Sequence, residues 1–252
     1  MRTYLTGLAA LALVVAAGQA AQACGDGSVL LEDSFNTLTR TWGKASEFLK
    51  VERGQLVMSE KNGDFYVVLA GPTFPEVDYC ATVSAIDASD LSASYAGLTF
   101  WGKDVNNFFT FQFTFDGYAT VYQYVDGKWQ PVIKDREMAA VRQGIGAVNE
   151  LRVVTAGNKA TFYVNGDEFD SITGTPPGDQ QHIGFTVEAP NQGKASFALD
   201  DVKVNEPSAS SDDSGSGTDN GTDSGGNSGG SDSTNGGNGG GDDNNVGTKP
   251  SP

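Results

Sequence analysis

The residues whose types and spacing could support chemistry are concentrated between Tyr95 and Trp129. This stretch reads YAGLTFWGK, then NFFTFQFTF, then YATVYQYV, and ends on Lys128-Trp129. Aromatic and β-branched residues alternate with polar ones, the period-2 signature of half-buried strands. Phe109, Phe111, Phe113 and Phe115 share one parity and predict a core face, while Thr110, Gln112 and Thr114 share the other. In the flanking runs Thr99, Trp101 and Lys103 oppose Leu98 and Phe100, and Thr120, Tyr122 and Tyr124 oppose Val121 and Val125. Aligned across neighbouring strands, the polar parities predict one mixed face carrying Trp101, Gln112, Tyr122 and Tyr124, with Trp129 joining it. Flat rings stack on the apolar C–H faces of sugar rings, while amides and hydroxyls select sugar hydroxyl groups. The face is therefore a candidate platform for a carbohydrate. The alternative is plain packing, with the same rings covering loops or filling the sheet edge.

Catalytic chemistry is less marked. Glycoside hydrolysis uses two carboxyl groups about 5 to 10 Å apart. The nearest acidic alternation is Asp167-Glu168-Phe169-Asp170, which places Glu168 and Asp170 on one face directly after a turn. Charges in such a place are ordinarily solvated. Glu137 and the single histidine, His182, would join them only if all converged in one cleft; beside Ile183, His182 reads as a packed or hydrogen-bonded residue. There is no Gly-x-Ser-x-Gly elbow, so no catalytic residue is assigned.

The elements that must position these residues are strands. Val29 to Phe35, Phe48 to Glu52, Gln55 to Ser59, Phe65 to Ala70 and Val77 to Ile86 precede the central stretch. Lys128 to Lys134, Asn149 to Val154, Lys159 to Val164, Asp167 to Ile172, His182 to Ala189 and Ala195 to Val204 follow it. Asp116-Gly117, Asp126-Gly127 and, most clearly, Asn165-Gly166 predict tight hairpin turns with positive φ. Residues 135–148 break the pattern and predict a loop or a short helical turn. About a dozen strands of mixed length predict two packed antiparallel sheets rather than a closed barrel.

Residues 1–23 have a basic start, a short apolar run and a small-residue end, the layout of a secretory signal peptide. The apolar run is too short to span a bilayer. Cys24 and Cys80 are the only cysteines, and in an exported chain they most simply form one disulfide. Lipidation of Cys24 is the rival reading; lipoproteins usually place a larger aliphatic residue where Ala21 stands, which favours simple cleavage. Residues 24–206 predict one domain. Residues 207–252 are rich in Gly, Ser, Asn and Asp with Val246 almost alone as an apolar residue, and predict a disordered spacer. The formal net charge of −16 repels phosphate backbones and anionic surfaces, which excludes nucleic acid as a natural partner. It suits neutral glycans or divalent cations.

With the strands placed, the chain resembles the concanavalin A-like lectin/glucanase superfamily. More narrowly, it is similar to the laminin G-like and 3-keto-disaccharide hydrolase-type domains of secreted bacterial proteins. The resemblance is carried by Leu31-Glu32-Asp33-Ser34-Phe35, by Asn107-Phe108-Phe109-Thr110-Phe111 with Asp116-Gly117-Tyr118, and by Asn149-Glu150-Leu151-Arg152-Val153. It continues through Ala160-Thr161-Phe162-Tyr163-Val164-Asn165-Gly166 to His182-Ile183-Gly184-Phe185 and Phe197-Ala198-Leu199-Asp200-Asp201-Val202. It implies an all-β, concanavalin A-like jelly-roll β-sandwich of two antiparallel sheets, with ligands on a concave face or at rim loops. The Glu-x-Asp-x-x-Glu strand of the glucanases is missing. Jelly rolls often hold one structural calcium where the first and last strands meet, which points to Glu32, Asp33, Asp200 and Asp201 as ligands. The expectation is a secreted, non-catalytic module that binds a neutral polysaccharide or oligosaccharide. The alternatives are a glycan-active hydrolase of the 3-keto-disaccharide type, or a structural or adhesion domain.

Overall fold

The alternating runs fold as strands over most of the described residues. A computed structural model describes residues 24–208 and 246–248; the signal peptide expected over 1–23, and most of the spacer expected over 207–252, lie outside the described residues. The strands are β1 (Val29–Asp33), β2 (Leu49–Glu52), β3 (Gln55–Lys61), β4 (Phe65–Phe74), β5 (Val77–Ala88), β6 (Tyr95–Asp104), β7 (Asn107–Thr114) and β8 (Tyr118–Val125). There follow β9 (Lys128–Glu137), β10 (Val148–Ala156), β11 (Lys159–Val164), β12 (Asp167–Thr173), β13 (Gln181–Glu188), β14 (Lys194–Asn205) and β15 (Val246–Thr248).

They form two antiparallel sheets, an all-β sandwich. One sheet runs β12-β11-β10-β5-β14-β3-β2, with β1 alongside β14. The other runs β15-β4-β13-β6-β7-β8-β9. The all-Phe parity faces the core as the alternation requires. Phe111, Phe113 and Phe115 are fully buried, and Phe109 packs against the same core. Aromatic contacts join the two layers: Phe111 to Phe162 at 5.1 Å, Phe115 to Phe197 at 5.9 Å and Tyr79 to Phe185 at 6.1 Å. The Tyr79 hydroxyl donates to the carbonyl of Gly184 in the opposite sheet, 3.0 Å away. Each such ring contributes about 1.5 to 3 kcal/mol by leaving water.

Turn chemistry follows the sequence with one change. Asn165 (φ 52°) and Gly166 (φ 89°) form the two-residue turn expected between β11 and β12. The β7–β8 connection is longer than a two-residue turn, spanning residues 115–117, because Phe115 stays packed on Phe113 and Phe197 instead of ending a strand. Two strands also outrun their sequence signal. β9 continues to Glu137 where a loop was expected. It is a sheet edge, where charged residues such as Lys134, Asp135, Arg136 and Glu137 are at home because they discourage edge-to-edge pairing. β4 continues through Pro72, and the pairing with β15 reaches only from Tyr66 to Val68. Pro72 thus lies where β4 is an edge and a missing N–H is harmless.

Cys24 and Cys80 are disulfide-bonded across a sequence separation of 56 with a Cα–Cα distance of 5.5 Å. In the chain-entropy view such a link stabilises by about 3 to 4 kcal/mol. It fixes the start of the domain to β5, where Gly25 N also donates to Asp78 and Arg152 forms a two-pronged pair with Asp78 at 2.6 Å. Among the described residues no helix is long and apolar enough to cross a membrane.

Candidate functional site

The outer face of the seven-stranded sheet carries the polar parity. On β6 this puts Tyr95, Gly97 and Thr99 outward, with Ala96, Leu98 and Phe100 in the core. Register then decides who meets whom: Gln112 stands opposite Gly97 and Thr120, Tyr122 opposite Thr110, and Glu188 opposite Tyr95. Tyr95, Gln112, Tyr122, Trp129 and Glu188 line a groove of about 200 Å³. That is below the usual range of about 300 to 1,000 Å³ for drug-sized ligands, and suits a small segment such as a sugar ring.

Gln112 is the floor. It is only 1% exposed, and its Nε2 has no hydrogen-bond partner. The hydroxyl of Thr110 beside it is also buried without a partner. The neighbouring polar groups are satisfied: Thr99 bonds Thr186 at 2.7 Å, and Thr120 donates to the Ile133 carbonyl at 2.7 Å. A buried amide donor without an acceptor costs about 1 to 3 kcal/mol, a cost that a ligand oxygen would remove.

The walls are aromatic. Trp129 lies 5.9 Å from Tyr122. It is seated by Phe65, Phe108 and Tyr124 at 5.0, 5.8 and 4.8 Å, members of a second apolar cluster on this outer face. Tyr95 donates to Asp135 on β9 at 3.4 Å. Burial, then the charge of Asp135, pushes the Tyr95 hydroxyl well above the usual phenol range, with Tyr122 and Glu188 adding to it. Burial likewise raises Tyr122, with Asp135 and Glu188 behind it. Each hydroxyl keeps its single proton; Tyr95 gives its own to Asp135, so to a ligand it offers an acceptor oxygen.

The structure brings together Gln112, Tyr122 and Trp129 of the expected platform. It separates the other two. Tyr124 is buried beneath Trp129 and supports it. Trp101 has crossed to the core: a register shift between Phe100 and Asp104, with φ 44° at Trp101, breaks the alternation. Its ring packs on Phe100 and Phe109, its backbone N–H donates to the Gln181 side-chain oxygen at 2.9 Å, its indole N–H is buried without a partner, and it is 2% exposed. Tyr95, Gly97 and Glu188 were not singled out in the sequence. Tyr95 and Gly97 share the parity of Thr99, and Glu188 that of Thr186, so the signal was present; what was missing was the pairing of β13 with β6.

The acidic candidates do not converge. Asp170 pairs with Arg136 at 2.8 Å, and the Arg136 guanidinium lies 4.3 Å from the Phe169 ring, so this group ties β12 to β9. Glu168 is exposed beyond the Phe162/Tyr163 bulge. His182 bonds the Ala70 carbonyl at 2.9 Å. None of these, nor Glu137, lines the groove.

The expected calcium ligands fit a metal poorly. Glu32, Asp33 and Asp201 line a cavity of about 300 Å³ beside the disulfide, together with Glu150 and the ammonium-bearing Lys203, but Asp200 does not. Asp33 already accepts from Phe35 N at 2.8 Å and from the Trp42 indole at 2.9 Å. Among the described residues no three His, Cys, Asp or Glu side chains are placed to hold a metal ion.

No protein-family profile and no curated protein sequence matches the chain. Solved structures do. The carbohydrate-binding module CBM66 from Bacillus subtilis matches with a TM-score of 0.54 and 11% identity, covering 66% of this chain and 96% of that one. A β-glucanase from Bacillus licheniformis matches at 0.53 and 11%, covering 73% and 100%. A Bacteroides ovatus GH16 protein of a mixed-linkage glucan locus matches at 0.54 and 10%, covering 70% and 100%. These likenesses show the fold, a jelly-roll β-sandwich of two antiparallel sheets.

Proposed function

We propose that the protein is a secreted carbohydrate-binding module whose site is the groove on the seven-stranded sheet. The observation that carries this reading is the buried, unpartnered Gln112 amide on the floor of a groove walled by Tyr95, Tyr122 and Trp129. Rings supply flat apolar surface for a sugar's C–H face, Gln112 donates to a ring or hydroxyl oxygen, and the two protonated phenols complete the polar set. Structural neighbours named as a carbohydrate-binding module and glucanases support the same reading. The disulfide supports export, since such links persist in oxidising compartments.

The test is affinity electrophoresis of the purified protein through a panel of polysaccharides. At least one should retard it, and Trp129→Ala should abolish the retardation while leaving the fold intact by circular dichroism. If no glycan retards the wild-type protein, the groove is not a glycan site.

A second reading has one observation behind it: two carboxylates border the groove, Glu188 in its lining and Asp135 at the Tyr95 hydroxyl, 3.4 Å away. Glycosidases place two carboxyl groups on either side of the scissile bond. Release of reducing ends from a retarding glycan, lost in Glu188→Gln, would establish hydrolysis. Retardation without release leaves the protein a binding module.

A further inference from the structure

We propose that this groove selects glycans bearing free primary amines over their N-acetylated or neutral counterparts, and disfavours uronic acids. The inference rests on the glycan-binding reading above and names its ligand class.

Three observations converge on it. Among the described residues Glu188 is the one charged side chain lining the groove, and none of the five lining residues is basic. A second carboxylate, Asp135, stands at the Tyr95 hydroxyl, 3.4 Å away. The walls are three electron-rich rings, Tyr95, Tyr122 and Trp129, of the kind that attract ammonium groups over their faces. The floor is independent of the charges: Gln112, buried and without a partner at Nε2, offers a donor to a sugar oxygen. An ammonium is a donor-only group. It needs acceptors, negative charge and aromatic faces, and the groove offers all three beside one donor for the ring's oxygens. Acetylation removes the charge and adds bulk in a groove of about 200 Å³. A uronate would bring a third carboxylate beside two others, which is repulsive at close range.

The experiment is titration calorimetry with four hexamers on the intact protein at moderate salt: a glucosamine hexamer, its fully N-acetylated form, cellohexaose and a hexauronate. The glucosamine hexamer should bind about tenfold more tightly than the acetylated one, a difference in line with one amine meeting rings and carboxylates at a partly exposed site. The hexauronate should bind most weakly. Glu188→Gln and Asp135→Asn should each bring the ratio of glucosamine to N-acetylglucosamine affinity towards one. The overall charge of −16 would attract any polycation, and the variants separate that effect, since removing one carboxylate among 32 acidic residues leaves a diffuse attraction nearly unchanged. A preference that persists in both variants therefore overturns the proposal. So does equal or tighter binding of the acetylated hexamer, and in that case the groove stands as a glycan site of other selectivity. If no hexamer binds, the glycan reading falls and this inference falls with it.

Discussion

The methyl group that Gly97 lacks would stand 2.7 Å from Cγ of Gln112. The two residues are direct cross-strand partners between β6 and β7, and the space left by the first is occupied by the side chain of the second. A Cβ there would also press on the backbone of Phe111 and Gln112, which cannot swing aside as a flexible side chain can. Gly97→Ala should therefore displace the Gln112 side chain from the groove floor. Overpacking of this kind costs about 1 to 3 kcal/mol. The expected result is a folded protein with a lower urea midpoint and no retardation by glycan. Wild-type binding in Gly97→Ala would show that Gln112 does not set the floor.

Trp101 and Trp129 should respond in opposite ways. Trp101 is enclosed among Phe100, Phe109 and the backbone at Gly174, whose own missing Cβ would lie 2.7 Å from the indole. Trp101→Ala should cost about 3 to 5 kcal/mol in urea unfolding, as for a large ring removed from a core. At temperatures where it stays folded, its glycan binding should match wild type. Trp129→Ala removes a half-buried ring from the groove wall. It should cost no more than about 1 to 2 kcal/mol yet lose binding by tenfold or more.

The contrast between these tryptophans shows what alternation can and cannot reveal. The core parity from Phe109 to Phe115 was legible because β7 pairs with β8 in unbroken register from Asn107 to Phe113, and the hairpin at Asn165-Gly166 because two positive φ angles need that residue pair. Trp101 was misplaced because parity counts residues, and a bulge adds one without any mark in the sequence. Glu188 was overlooked for a different reason. It reaches the groove through β13 lying between β4 and β6, an order set by the packing of the whole sandwich. The acidic residues named for a calcium are divided by the fold: Glu32, Asp33 and Asp201 line one cavity and Asp200 does not, while Asp33 is already engaged by Phe35 and Trp42.

Glu60 gives the fold a titratable weakness. Its side chain is buried on β3, and burial raises its pKa, with Asp64 and Glu47 adding repulsion against the Lys61 N–H and ammonium that lower it. A carboxyl whose folded pKa lies above its unfolded value penalises the folded state when both states are ionised. The penalty is complete above the folded pKa and is relieved as pH falls through it towards the unfolded value. Glu60→Gln keeps an oxygen to accept the Lys61 N–H, now 3.0 Å from Oε1, and removes the charge. Its melting temperature should exceed wild type at pH 7 to 8, and the advantage should fade as the buffer is brought down to about pH 4, near the ordinary carboxylate range. A constant difference across that range would assign the effect to packing instead.

The far end of the chain bears on the other edge of the groove sheet. Val246, Gly247 and Thr248 pair antiparallel with Val68, Val67 and Tyr66, so β15 covers part of β4. Without it β4 is an open edge, and the exposed ladder of an edge strand is a template for pairing with a second chain. Removing residues 209–252 should therefore make association concentration-dependent, seen as a rising sedimentation coefficient between micromolar and hundreds of micromolar protein. A truncated protein that sediments as a monomer throughout would mean that β4 is protected by its own twist and by Pro72 rather than by β15.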